Sequence, residues 1–129
     1  MKNKNLLATA TLLAALAILL GAFGAHGLKQ ILPIEKVESF KTGVQYQFYH
    51  ALAIALAVLI SQYIDNIWIQ RSIWFFIAGI VCFSGSLYLF TYFATVNTEG
   101  GKMLGLITPL GGVCFLIGWI LLTIGIGKK

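Results

Sequence analysis

The charged residues of this chain are separated by four long stretches that contain no charge at all. These stretches cover residues 5–28, 42–64, 72–98 and 103–127, and they are 24, 23, 27 and 25 residues long. A helix rises about 1.5 Å per residue, so roughly 20 apolar residues cross the ~30 Å hydrocarbon core of a bilayer. Each stretch is therefore just long enough to span a membrane as a helix.

The composition agrees with this interpretation. Apolar residues make up 59% of the chain and charged residues 10%, against roughly 45–50% and 25% in soluble domains. The net charge of +5 forms no basic stripe, so nucleic acid is not an expected partner. The sequence predicts an all-α fold: a four-helix transmembrane bundle forming one integral membrane domain over residues 1–129. Its spans are expected at about 6–25, 46–63, 72–93 and 107–126.

The one sizeable polar stretch, residues 28–45, lies between spans one and two. Pro33 suits the first position of a helix, and Glu35 and Glu38 would fall in its early turns, where the helix dipole favours acids. Four apolar side chains then recur on one face: Ile34, Val37, Phe40 and Val44. This pattern predicts an interfacial amphipathic helix within residues 33–45. The alternative is that this helix continues into span two without a break.

The first span has a second interpretation, as a secretory signal. Met1 to Lys4 supplies the positive start, residues 6–20 the apolar core, and residues 22–24 a small-residue cleavage site. The apolar run is longer than the roughly 7–15 residues of a signal core. We therefore favour an uncleaved first transmembrane helix.

Two sets of small residues recur at helical spacing and predict close helix packing. In span one these are Ala17, Gly21 and Ala25, and in span four Gly111, Gly118 and Gly125. The faces can serve contacts within the bundle or contacts between copies of the chain, so a homo-oligomer is an open alternative.

The positive-inside rule gives a weak topology prediction. With four spans, the termini and the second link share one side and carry five cations: Lys2, Lys4, Arg71, Lys128 and Lys129. The other two links carry four: Lys29, Lys36, Lys41 and Lys102. The count favours cytoplasmic termini by a margin of one residue.

The spans contain little that could carry out chemistry. No nucleotide-binding loop, metalloprotease helix or nucleophile elbow is present, and all four acidic residues fall in the links. Ion-coupled transporters build their sites from intramembrane acids, so their absence argues against that function and against carboxylate-based hydrolysis. Cys82 and Cys114 match no zinc or redox spacing and are expected to be structural thiols.

Neutral polar side chains gather in the half of the bundle that faces the first and third links. The predicted polar cluster consists of His26, Tyr46, His50, Ser84, Ser86, Tyr88 and Thr108. Its members could be interhelical hydrogen-bonding groups alone, or line a pocket for a lipid, quinone or other small molecule. A third alternative is a haem or metal held by the two histidines. We expect His50 to bond another span, with Ser84, Ser86 or Thr108 as its partner.

Several segments resemble the domain-of-unknown-function 423 family. They are GAFGAHGL (21–28), FKTGVQYQFYHALA (40–53), FSGSLY (83–88), ITPLGG (107–112) and the pair Gly118-Trp119. The segments occur in the family's order and spacing over nearly the whole chain. The resemblance implies a small, four-span protein of the bacterial cytoplasmic (inner) membrane. It implies no activity and supplies no catalytic residue.

These observations predict a small membrane protein that is not an enzyme and acts by binding, scaffolding or assisting another membrane component. The alternatives are a carrier or channel for a small neutral solute, and a haem- or metal-handling protein. No catalytic residue, cofactor or metal is assigned. Membrane lipids are the expected partners, and the identity of a protein partner is left open.

Overall fold

A computed structural model describes residues 1–96 and 104–128, and within them five α-helices account for most of the chain. They are α1 (Lys4–His26), α2 (Ile34–Ile60), α3 (Ile67–Gly79), α4 (Gly85–Thr95) and α5 (Leu104–Gly127). A 3-10 turn, Leu28–Gln30, follows α1, and a five-residue π-helical segment, Ile80–Ser84, joins α3 to α4. Lys102 and Lys129, used in the charge count, lie outside the described residues.

Four helical segments are long and apolar enough to cross a membrane. They are Lys4–Gln30, Ile34–Ile60, Ile67–Thr95 and Leu104–Gly127. The third comprises α3, the π-helical segment and α4 in one continuous path. The all-α, four-span architecture predicted from the charge-free stretches is thereby confirmed, and each predicted span overlaps one of these segments.

The separate interfacial helix between spans one and two is not confirmed. Pro33 has extended backbone angles, and α2 then runs unbroken from Ile34 to Ile60. The apolar face of its first turns does not lie free for a membrane surface, because Val37 and Phe40 are buried against Leu28 after α1. Packing against the end of span one therefore lets α2 begin at Ile34, well before the expected start at residue 46. This is the alternative in which the helix continues into span two without a break.

The helices pack in sequence order across the described part of the bundle. α1 packs on α2, α2 packs on α3 and α4, and α5 packs chiefly on α3 and the π-helical segment. The main core lies between α2, α3 and α5, where Ile54, Phe76 and Phe115 are buried. α1 is the least enclosed span, since only Ala10, Ala17 and Gly24 of its residues are buried.

Both small-residue faces lie at helix contacts. An ideal Cβ on Gly118 would lie 2.7 Å from the Phe76 ring, and one on Gly125 would lie 2.5 Å from Ile69. On α1 the closest approach is at Gly24, where a Cβ would lie 2.7 Å from Phe40. Ala17 is buried as expected, but Gly24 rather than Ala25 carries the contact with α2. The glycine face of α5 is thus used within the chain.

Replacing Gly118 by leucine is expected to lower the free energy of unfolding by about 1–3 kcal/mol, the usual cost of overpacking. The added side chain would displace the fully buried Phe76 ring. The matched control is Gly127→Leu at the end of the same helix, where a Cβ meets nothing within 4 Å. Unfolding in detergent followed by circular dichroism measures both variants, and equal stabilities would contradict the prediction.

Candidate functional site

His50 lies in the interior of the bundle with both ring nitrogens hydrogen-bonded. Its Nδ1 lies 2.8 Å from the Tyr46 carbonyl oxygen, one turn earlier in α2. The indole Nε1 of Trp119, on α5, donates to His50 Nε2 at 3.1 Å. Because a carbonyl only accepts and an indole N–H only donates, the proton sits on Nδ1 and the imidazole is neutral.

Aromatic rings enclose this imidazole on several sides. The Phe115 ring stacks on it with centroids 3.5 Å apart and planes inclined by 11°. Tyr46 stacks at 5.9 Å, and Phe76 lies at 5.7 Å. We call His50, Trp119 and these three rings the His50 box. Two glycines make room for these rings: Phe115 of α5 packs directly on Gly79 of α3, and Phe76 of α3 packs directly on Gly118 of α5.

A second polar contact is centred on Gln47 and joins three spans. Its Nε2 donates to the Leu13 carbonyl of α1 at 2.8 Å, and the Tyr88 hydroxyl donates to its Oε1 at 2.7 Å. Gln47 is 4% exposed. The predicted cluster omitted this residue. The sequence did contain a signal for it: Gln47 is a side-chain amide within a long charge-free stretch, and an amide in lipid needs hydrogen-bond partners inside the protein.

Two serines of span three form the remaining interhelical bonds of the predicted cluster. Ser84, the last residue of the π-helical segment, donates to the Gly43 carbonyl of α2 at 2.6 Å. Ser86 and Thr108 share a hydroxyl–hydroxyl bond of 2.5 Å between α4 and α5. The prediction that His50 bonds another span is confirmed. The partners predicted for it are wrong, since Trp119 occupies that role.

His26 does not join the other predicted residues. It is exposed at the end of α1. Contact of Gly24 with Phe40 sets the antiparallel register of α1 and α2, which leaves His50 roughly 20 Å deeper along the bundle at 1.5 Å per residue. The two histidines therefore cannot ligate one metal ion or one haem iron. The span predicted to begin at about residue 46 would have placed His50 one turn from its start, but α2 begins at Ile34, so His50 lies near the middle of the helix.

Gln47→Leu is expected to destabilise the bundle by about 1–3 kcal/mol. The change leaves the Tyr88 hydroxyl without its acceptor and removes the hydrogen bond to the Leu13 carbonyl of α1. Gln45→Leu is the matched control, since Gln45 lies on the same helix but is exposed. The two variants are compared by unfolding in detergent. A Gln47 variant as stable as the Gln45 variant would show that the bridge contributes nothing.

Two surface cavities in the described part of the chain lie away from the His50 box. One of about 260 Å³ runs between α1 and α2 and is lined by Ala17, Gly21 and Phe48 among others. Another, of about 300 Å³, lies beside Thr108 and Pro109. Their walls are mainly apolar, which suits acyl chains better than a polar solute.

The fold and its internal hydrogen bonds define a class: a small, four-span integral membrane protein. The particular family follows from comparison with known proteins. A family model described as "Protein of unknown function (DUF423)" matches residues 20–112, and the chain belongs to that family. The resemblance noted from the sequence is therefore confirmed.

Relatives from several bacteria match along most of their length. The UPF0382 membrane protein YwdK of Bacillus subtilis is 41% identical over 89% of each chain. A UPF0382 membrane protein of Haemophilus influenzae is 42% identical over 100% of this chain and 98% of its own. The UPF0382 inner membrane protein YgdD of Escherichia coli K12 is 36% identical over 97% and 91%. No solved structure matches this chain.

Proposed function

We propose that this chain is a non-enzymatic accessory or scaffolding protein of the bacterial cytoplasmic membrane. The observation that carries the proposal is the pairing of the interior polar groups with one another. His50 bonds Trp119, Gln47 bonds Tyr88 and the Leu13 carbonyl, and Ser86 bonds Thr108. Groups whose hydrogen bonds are made within the protein hold helices together and are not free to bind a reacting substrate.

The state of His50 also favours a structural role for the interior. A general base needs a ring nitrogen within reach of a proton to abstract. In His50, Nδ1 is bonded to the Tyr46 carbonyl oxygen, Nε2 accepts from the Trp119 indole N–H, and Phe115 covers one face of the ring. Within the described residues, the four spans also contain no group of three or more His, Cys, Asp or Glu side chains that could hold a metal ion.

The partner surface that we infer is the outer side of α1. Among the described elements, this helix packs on α2 and the turn that follows it, and Leu12, Ile18 and Leu19 are 60–67% exposed. Because α1 is packed, within the described residues, against α2 on one side only, its opposite side can contact another membrane component. A photo-reactive amino acid at each position would test this, with the buried Ala10 position as control.

We expect cross-linking in cells to give one protein adduct of constant mass from the exposed positions and none from the control. The same preparation, released in mild detergent into a native mass spectrometer, should retain that protein at fixed stoichiometry. Lipid adducts alone at all three positions would contradict the scaffolding role. A retained haem, or a solute carried across proteoliposomes, would favour one of the alternatives instead.

The proposed topology places both termini in the cytoplasm. Among the described residues, the terminal side carries four cations, Lys2, Lys4, Arg71 and Lys128, and the opposite side carries three, Lys29, Lys36 and Lys41. The positive-inside rule assigns the side with more cations to the cytoplasm. A fluorescent protein fused after Lys129 is expected to fluoresce, and alkaline phosphatase at the same point to be inactive. The opposite pair of results would reverse the topology.

A homo-oligomer stays a prediction. Because α3 and the π-helical segment cover the glycine face of α5 and Ala17 is buried, a second copy would contact the partly exposed small residues of α1, Gly21 and Ala25. The native mass spectrum described above reports this state directly as the mass of two chains.

A further inference from the structure

Two cationic side chains from different helices converge on one indole ring at the end of the bundle that carries the termini. The Arg71 guanidinium, on α3, lies 5.3 Å from the centroid of Trp68. The Lys128 ammonium, directly after α5, lies 4.7 Å from the same centroid. Both cations are exposed, while Trp68 is half-buried. We call these three side chains the Trp68 site.

The backbone around the Trp68 site is fixed by specific contacts. The Asn66 side chain accepts from the backbone N–H of Trp68 at 2.8 Å, which caps α3. It also donates to the Gly125 carbonyl of α5 at 3.3 Å. Gly125 permits this approach, because a Cβ there would lie 3.4 Å from the Cβ of Trp68 and still closer to Ile69. The start of α3 is therefore tied to the end of α5.

The charges at the Trp68 site are not balanced by a nearby acid in the described part of the chain. Asp65, the acidic residue of the second link, pairs with Lys2 at 2.9 Å. Tryptophans at the ends of transmembrane helices, as Trp68 is, lie at headgroup depth in a membrane. The site thus presents two cations to the layer in which lipid phosphates lie.

We propose that Arg71, Lys128 and Trp68 bind the phosphate of an anionic phospholipid headgroup. A guanidinium donates two parallel hydrogen bonds to phosphate oxygens, and an ammonium adds a point charge. Both long side chains can turn from the indole towards one phosphate beside it. Ile67 and Ile126, 58% and 48% exposed beside the site, offer an apolar surface for the acyl chains. This favours a lipid over free phosphate.

The test titrates purified full-length protein in mild detergent with phosphatidylglycerol, phosphatidylcholine of the same chains, or inorganic phosphate. Native mass spectrometry counts the bound molecules. The first phosphatidylglycerol should bind on the order of tenfold more tightly than phosphatidylcholine, since each surface cation contributes to attraction of anionic lipid. The double variant Arg71→Gln with Lys128→Gln should abolish that preference.

Two matched variants control for charge and for folding. Lys4→Gln with Lys29→Gln removes the same charge from exposed positions elsewhere and should keep the preference. Arg71→Lys with Lys128→Arg preserves the charge and should keep it too. The proposal is overturned by equal affinity for the two lipids, by loss of preference in the Lys4/Lys29 variant, or by free phosphate competing as well as the lipid does. None of these results bears on the scaffolding role, which depends on α1.

Discussion

Replacing Gly111 by alanine is expected to destabilise the protein by about 3 kcal/mol, at the upper end of the usual range for overpacking. The added methyl group would meet the backbone nitrogen of Phe83 and lie 2.8 Å from its Cα. A side chain can rotate away from such a contact, but the backbone of a packed helix cannot. The methyl group therefore forces α5 away from the π-helical segment.

The neighbouring Gly112→Ala variant is the matched control. It gains the same helix propensity, but its new Cβ meets only the Phe83 ring at an ordinary 3.9 Å. Detergent unfolding followed by circular dichroism should separate the two variants by more than 2 kcal/mol, in line with the cost of overpacking. Indistinguishable unfolding curves would show that α5 does not approach Phe83 as closely as described.

His50→Ala is expected to cost about 2–4 kcal/mol, because it opens a cavity and leaves the Trp119 indole N–H unpaired. The imidazole is 5% exposed and has Phe115 stacked on one face, so its surroundings cannot close the gap freely. Unfolding in detergent measures the loss. Tryptophan emission should also change, since Trp119 loses its hydrogen-bond acceptor.

Trp119→Phe separates the hydrogen bond from the packing, because it keeps an aromatic ring but removes the donor. In a double-mutant cycle with His50→Phe, the coupling energy should be about 0.6 kcal/mol, the average for such bonds in membranes. A coupling of zero would mean that the His50–Trp119 bond does not contribute, and the box would then be held by ring packing alone.

The number of spans could be predicted because it depends on a one-dimensional property of the chain. Hydrocarbon thickness sets the length of each charge-free stretch, and no knowledge of neighbouring helices is needed. The glycine face at Gly111, Gly118 and Gly125 was also visible, since a seven-residue recurrence returns to nearly the same side of a helix. Each glycine was identified without knowing that α3 or the π-helical segment would be its neighbour.

The polar contacts could be predicted only in part. Side-chain chemistry indicated that His50 must bond another span, because an unpaired ring nitrogen is costly in lipid. The choice of Trp119, the bridge through Gln47 and the separation of His26 all depend on helix register, which is a relation between two segments. The extent of α2 depends likewise on its neighbours, since Val37 and Phe40 pack on the end of α1.

The sequence by itself determined that the chain crosses a membrane four times, because the solvent acts on each segment separately. Tertiary structure alone decided which polar groups meet, and it decided between the two alternatives for α2 in favour of one unbroken helix from Ile34. It also placed Arg71 and Lys128 on the same indole. Those features arise from packing in lipid, where association depends on close contact and hydrogen bonding between helices. Shape complementarity of that kind is set by atoms far apart in the chain.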